Sequence, residues 1–437
     1  AMKTTRHLLQ IIFLFTLSTS LFAQTSTIEE KTKGMTKYEG YFNFYWDQAA
    51  GKIWLEIDKL DTEVLYLNAV TGGLGANGID RNSLGQSKLV AFHRVGPKIL
   101  MIQPNYSFRA NSDDEFAIEA VENAFGKSII WGFVVAAEEG QHVLVDATKF
   151  LLRDVLGGAS LMGGRNSGAK YSFDESKSAF DLSHTKNFPY NSEFDVMLTF
   201  TGQGFRGSEA PSSEAITLRL HHSLVKLPDN NFEPRKYDPR SSFMSSSYLD
   251  FSTPFSEDLK KSFISRHRLE KKNPGAKISE AVDPIVYYVD RGVPDEIKAA
   301  VLEGAAWWNH AFEACGYKDA FQVKLLPEDA DAMDIRYNMV NWVNRSSRGW
   351  SYGSAISDPR TGEIIKGNVS MGALRIRQVY LMLSSLAGEY GKDNQVSSEI
   401  REMALLRIKQ LSAHEVGHTL GLVHSYAANV NERSSVM

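Results

Sequence analysis

Three histidines near the end of the 437-residue chain have a spacing that suits a metal site. Residues four positions apart lie on one face of an α-helix, so His414 and His418 can direct both imidazoles towards one ion. Glu415 lies about 100° around the helix from His414, where its carboxylate can hold a water molecule without binding the ion. The pattern therefore predicts metal-assisted hydrolysis.

His424 can complete this site only if the chain turns after the helix. On a continuing helix it would point about 240° away from His418 and lie about 9 Å further along the axis. Gly421 allows a sharp turn, because glycine adopts the left-handed conformation without a steric penalty. Three neutral histidines with one open position are typical of catalytic zinc, whereas structural zinc has four protein ligands. The sequence predicts one zinc ion bound by these three histidines.

The segment His414–His424 resembles the signature H-E-x-x-H-x-x-G-x-x-H of the metzincin zinc peptidases. Ser434–Met437 resembles the Met-turn that follows this signature. The chain also resembles bacterial secreted zinc-dependent metalloproteases with large N-terminal regions of unassigned function. That resemblance covers most of Arg266–Met437 and rests on Arg266–Pro274, Pro284–Asp290, Ala306–Asn309, Asp358–Ile364 and His424–Asn429.

The resemblance implies a zinc-dependent endopeptidase that hydrolyses peptide bonds with a metal-activated water. It assigns the three histidines as zinc ligands, Glu415 as the general base and Met437 as a support below the ligands. It also implies that the catalytic domain is truncated at the Met-turn, with its C-terminal subdomain missing. The substrate would be a peptide or protein bound in extended form along a strand edge, with the hairpin Gly349–Ser370 as the candidate edge.

The residues after Pro284 alternate between strand and helix patterns, which predicts an α/β arrangement around the zinc helix. Pro294 suits the first position of a helix that runs through Phe312 and ends at Gly316. The long helix that carries the histidines is predicted over Ser398–Leu420. The predicted strands are Ile285–Val289, Phe321–Leu326, Asp334–Asn338 and the hairpin pair Gly349–Ser357 and Glu363–Ser370.

Upstream, apolar residues alternate with polar ones in short runs, which predicts a β-rich region. Its clearest strands are Ile53–Ile57, Val64–Leu67, Lys98–Ile102 and Phe194–Phe200. Asp229–Pro254 is rich in Asn, Pro and Ser and is predicted to be an irregular connector. We expect an α+β protein with a β-rich N-terminal region (residues 24–275) and a metzincin-like α/β catalytic domain (residues 276–437).

The first residues are typical of a signal peptide. Lys3 and Arg6 precede the apolar run Leu8–Leu17, and a cleavage site follows at Ala23. That run is too short for a membrane span, which needs about 20 apolar residues. We therefore expect residues 1–23 to be removed from a secreted or periplasmic protein without a transmembrane segment.

Composition gives no reason to expect nucleic acid as a partner, and the cysteine count rules out an internal disulfide. The formal net charge of −4 gives no reason to expect nucleic acid as a partner. Cys315 is the single cysteine, so no internal disulfide can form, and we expect this residue to be a small buried one.

Two other functions are compatible with parts of the sequence. One is a metal-dependent amidase that acts on a non-protein substrate, against which the Gly421–His424 turn and the Met-turn argue. The other is a surface binding module in which the β-rich region binds the ligand and the metal site is vestigial. The intact Glu415 argues against a vestigial site, because a structural metal site needs no base.

Overall fold

The computed structural model describes residues 26–75, 79–163, 169–346, 350–386, 398–432 and 434–437. The predicted signal peptide, residues 1–23, lies outside these described residues, as does Gly349 of the predicted hairpin. Among the helices in these ranges, we find none with the length and hydrophobicity needed to cross a membrane.

The N-terminal region is built mainly from strands. In chain order its elements are α1 (Ile28–Thr32), β1 (Thr36–Tyr38), β2 (Phe44–Asp47), β3 (Lys52–Ile57), β4 (Glu63–Gly72), β5 (Ser83–Leu84), β6 (Lys88–Val95), β7 (Lys98–Gln103), β8 (Phe108–Arg109), α2 (Glu115–Ala124), β9 (Ser128–Glu139), β10 (His142–Asp146), α3 (Thr148–Leu151), α4 (Gly158–Gly163), β11 (Lys170–Phe180), β12 (Lys186–Asn187), β13 (Asn191–Gln203) and β14 (Ala215–Lys226). The four strands predicted here lie within β3, β4, β7 and β13.

Most of these strands form one antiparallel sheet in the order β1-β2-β3-β10-β9-β7-β6-β4-β14-β13-β11. Successive side chains of a strand point to opposite faces, and β4 uses both faces for packing. Val64 and Tyr66 belong to the core of the N-terminal region. Leu65 and Leu67 point the other way and pack with Ile335 and other residues of the following region. The sheet is therefore buried on both faces where it meets the rest of the chain.

The second half of the chain alternates between strands and helices. Its elements are β15 (Ser245–Asp250), β16 (Lys260–Ile264), β17 (Ser279–Glu280), β18 (Ile285–Val289), α5 (Asp295–Ala306), α6 (Trp308–Ala314), β19 (Tyr317–Lys318), β20 (Phe321–Leu325), β21 (Asn338–Val343), β22 (Tyr352–Ser357), β23 (Ile364–Gly372), α7 (Ala373–Leu386), α8 (Ser398–Thr419) and a 3₁₀ helix (Tyr426–Asn431). β15 pairs with both β16 and β8, and β17 pairs with β19.

A mixed sheet in the order β20-β18-β21-β23-β22 forms the centre of this half. β22 is its antiparallel edge strand, whereas the other pairings are parallel. The helices α5 and α8 pack on this sheet around Val301, Ile408 and Leu411. The predicted hairpin and the predicted long helix are confirmed as β22–β23 and α8.

Four local predictions are wrong. The connector Asp229–Pro254, predicted to be irregular, contains the strand β15, which pairs with β16 and β8. The strand predicted at Asp334–Asn338 begins only at Asn338, because the Asp334 carboxylate accepts the Arg336 main-chain N–H at 3.0 Å and bends the chain there. The helix predicted from Pro294 to Phe312 breaks at Trp307, whose N–H donates to Gly304 O at 3.3 Å. Cys315, predicted to be buried, is exposed at the end of α6.

These differences leave the fold class unchanged. The chain is an α+β protein rich in strands, and a C-terminal helix carries the first two histidines.

Candidate metal centre

Helix α8 is fixed against its neighbours along the segment that leads to the histidines. The Ser412 hydroxyl donates to Val301 O at 2.8 Å, and the Trp308 indole N–H donates to Ala413 O at 2.8 Å. Val416 is fully buried in the core below the helix. The first two histidines therefore project from a rigid element.

The helix ends in a Schellman motif, in which a left-handed residue reverses the chain. Gly421 has φ +97, and its N–H donates to His418 O at 3.1 Å. The N–H of Leu422 donates to Gly417 O at 3.1 Å. The predicted turn at Gly421 is confirmed, and it directs His424 back towards the other histidines.

The structure brings the three predicted histidines together. Their ring centroids are 4.7 Å apart for His414–His418, 5.1 Å for His414–His424 and 4.9 Å for His418–His424. One nitrogen from each ring lies within 4.8 Å of the others, so a single ion can contact all three. The first two rings are half-buried, and His424 is exposed.

Main-chain carbonyls fix the tautomers of two of these rings. His414 Nδ1–H donates to Val436 O at 2.7 Å, and His418 Nδ1–H donates to Leu422 O at 2.8 Å. Carbonyl oxygen only accepts hydrogen bonds, so the protons lie on Nδ1 and the Nε2 lone pairs are free. Burial lowers the pKa of both histidines, which favours the neutral, metal-binding form.

The two free Nε2 atoms lie 3.2 Å apart and face each other. Two lone pairs at this distance repel each other unless a cation lies between them. Tetrahedral zinc with Zn–N bonds of about 2.0–2.1 Å separates its ligand nitrogens by roughly 3.3 Å. The donor type, protonation and spacing of these residues therefore fit a zinc ion.

Glu415 is adjacent to His414 in α8 but is not one of the three residues of this cluster. Its side chain is buried, and burial raises the pKa of its carboxyl to about 7, against the opposing hydrogen bond from the Gly353 main chain. Strand β22 approaches α8 closely at this point, since a Cβ on Gly353 would overlap Glu415 O. The edge strand and the carboxylate thus lie next to each other.

Met437 lies under α8, where a Cβ on Gly417 would overlap its sulfur atom. This location agrees with the support role that the resemblance implies for it. Sequence reasoning missed Val436, Leu422 and Gly353, whose main-chain groups orient the site. Any residue type can make a main-chain contact, so the sequence gives little indication of these three. Glycine at 353 was the one available signal, because it permits a close approach of two backbones.

Two segments of the chain match known families. Residues 397–436 match the family described as Met-zincin, and residues 82–272 match a domain of unknown function (DUF5117). Searches of curated proteins and of solved structures gave no match. The Met-zincin match and the three converging histidines fit a metzincin-type zinc site, and the segment before it is similar to DUF5117. They support a function of the zinc metallopeptidase type.

Proposed function

We propose that this protein is a zinc-dependent endopeptidase in which His414, His418 and His424 bind one zinc ion and Glu415 is the general base. The main support is the pairing of two neutral, carbonyl-oriented imidazoles with a buried carboxylate beside them. A structural zinc site would need a fourth protein ligand and no base.

Bound zinc lowers the pKa of a coordinated water towards about 7 and polarises the scissile carbonyl. The protein must then accept a proton from that water and deliver it to the leaving amine. Glu415 suits both steps, because burial raises the pKa of its carboxyl to about 7 and makes the carboxylate a stronger base. The close approach of Gly353 to the Glu415 main chain keeps β22 beside this residue.

The position of β22 favours an extended peptide as the substrate. β22 is an edge strand of the mixed sheet and passes directly beside Glu415. An extended peptide can add to such an edge through main-chain hydrogen bonds, which places a peptide bond near the base. A compact non-protein amide would gain nothing from this edge, so the amidase alternative is less well supported.

We further propose that the mature protein is secreted or periplasmic after removal of residues 1–23. It would comprise a β-rich region (residues 24–275) and a catalytic domain (residues 276–437). Separate hydrophobic cores support this division. One core contains buried residues between Tyr41 and Leu224, and another contains buried residues between Ile285 and Leu420.

Zinc content and proteolysis of the variants test this proposal. Wild type should bind about one zinc per chain, and His418→Ala should lose most of it because a ligand is removed. Glu415→Gln should keep the zinc yet cleave an unfolded protein such as casein about 10²–10⁴-fold more slowly. Matched controls are exposed residues of the same types, His310→Ala and Glu402→Gln, which should behave like wild type.

Circular dichroism of each variant would verify that the fold is retained. A folded wild type that retains no metal after incubation with excess zinc would refute the ligand assignment. A Glu415→Gln variant that cleaves casein at the wild-type rate would refute the assignment of the base, even with the zinc retained.

A further inference from the structure

The turn that carries His424 is paired with a segment from the upstream connector, which we name the brace (Ser242–Met244). The Met244 N–H donates to Gly421 O at 2.7 Å, and the Val423 N–H donates to Ser242 O at 3.0 Å. Phe243 and Leu422 lie opposite each other in this antiparallel pairing. The residues on both sides of Leu422, Gly421 and Val423, are therefore hydrogen-bonded to the brace.

The brace is itself anchored to the mixed sheet of the second half, at β23. Met244 O accepts the Ser265 N–H at 2.9 Å, and the next residue, Arg266, exchanges main-chain hydrogen bonds with Gly362 and Ile364 at 3.0 and 2.9 Å. Gly421 lies so close to Ser265 that a Cβ would overlap the Ser265 carbonyl oxygen. The turn is thus held between the end of α8 and a ladder that continues into the β22–β23 hairpin.

His424 depends on this main-chain support more than the other two histidines do. His414 and His418 each have a carbonyl partner for Nδ1. The contacts found for the His424 ring within the described ranges are ring contacts, with His414, His418 and Tyr426. Its orientation must therefore come from the backbone of the Gly421–His424 turn.

We infer that the brace is a positioning element for the third zinc ligand. This inference rests on the proposed function, in which His424 binds the zinc. The brace lies inside the segment that matches DUF5117, residues 82–272. The segment of unassigned function therefore contributes directly to the geometry of the metal site, through main-chain hydrogen bonds rather than through a ligand.

Met244→Pro tests the inference, because proline removes the N–H that donates to Gly421 O. Residues that orient metal ligands typically change metal affinity 10–100-fold when they are altered, and we expect a loss of about this size. The matched control is Lys236→Pro, at an exposed connector position where the neighbouring bonds use the N–H groups of Tyr237 and Ile264. Zinc affinity is measured by competitive chelator titration.

A cobalt-substituted sample provides a readout that does not depend on activity. In Met244→Pro the visible absorption of bound Co²⁺ should weaken as water replaces a loosely held His424, while Lys236→Pro keeps the wild-type spectrum. If Met244→Pro does not fold, Ser242→Ala decides: it removes the hydroxyl bond to Ser425, 3.3 Å long, and should weaken zinc binding several-fold relative to Ser241→Ala.

The outcomes separate this inference from the proposed function. A wild-type protein that binds no zinc, or a His424→Ala variant with unchanged zinc affinity, contradicts the ligand assignment itself. If wild type binds zinc through His424 and a folded Met244→Pro matches it in zinc affinity and cobalt spectrum, the brace has no positioning role. Equal affinities for Ser242→Ala and Ser241→Ala would lead to the same conclusion if the proline variant is unfolded.

Discussion

A buried ion pair joins the N-terminal sheet to the mixed sheet of the second half, and its removal should be costly. Asp80 lies between β4 and β5, and Arg345 follows β21. The side chains are 4% and 3% exposed, and Arg345 Nε donates to Asp80 Oδ2 at 2.7 Å. Another nitrogen of the Arg345 guanidinium, Nη1, donates to Trp350 O at 2.9 Å.

Asp80→Ala would leave a buried guanidinium without its counter-charge. Breaking such a pair by removing one partner typically costs about 3–5 kcal/mol, because the remaining charge stays desolvated. Removing both charges, as in Asp80→Ala with Arg345→Met, should cost much less, since a buried pair is often replaced by apolar groups with little loss. The double variant should therefore be more stable than Asp80→Ala alone.

Urea unfolding of wild type, both single variants and the double variant gives the coupling free energy by a double-mutant cycle. Glu280→Ala is a suitable control, because its pair with Lys272 is exposed and its loss should not shift the unfolding midpoint measurably. An Asp80→Ala variant as stable as this control would refute the reasoning. So would a double variant that is less stable than either single variant.

Two further changes test other parts of the structure. Burial alone would lower the pKa of His221, but the neighbouring carboxylates of Glu193 and Asp195 outweigh it and raise this pKa to about 9. The charged imidazole therefore stabilises the fold below about pH 6.5, an effect lost as the pH rises through about 9. His221→Gln should thus be destabilised most at pH 6, and the gap to wild type in urea midpoint should narrow towards pH 10. Trp308→Phe removes the indole donor to the buried Ala413 carbonyl and should lower the free energy of unfolding by about 1 kcal/mol, measured by urea titration.

The metal site could be predicted from the sequence because its information is local. His414, Glu415 and His418 lie within two turns of one helix, where spacing alone determines direction. Gly421 marked the turn, because few other residues tolerate a φ of +97. The distance between the two Nε2 atoms and the tautomers required the structure, since both depend on carbonyls that have no side-chain signature.

Strands of the N-terminal region could be predicted from the sequence, but their order in the sheet could not. Alternation revealed β4, yet nothing local shows that it pairs with β14 across more than 140 residues of chain. The connector shows the same limit more sharply. Its Asn, Pro and Ser content predicted irregular structure, whereas the brace within it pairs with the Gly421–His424 turn. Helix α7 was missed entirely.

The buried face of the N-terminal sheet bears on whether this region could be released as a removable segment. Its separation would expose a shared cluster in which Leu65, Leu67, Leu89, Val225 and Leu227 pack with Ile335 and Ile356 of the following half. Burying one such side chain contributes about 1.5–3 kcal/mol, so exposing the five from the N-terminal region would cost on the order of 10 kcal/mol.

Release would also break the buried ion pair between Asp80 and Arg345 and expose both charges to water. A segment that is released in function would present a polar face to the second half of the chain. Both surfaces contact water after separation, and a large exposed apolar patch promotes aggregation. The sheet has the opposite character. The metal site and the sheet therefore form one structural unit, and changes within residues 82–272 should be measured for their effect on zinc affinity as well as on stability.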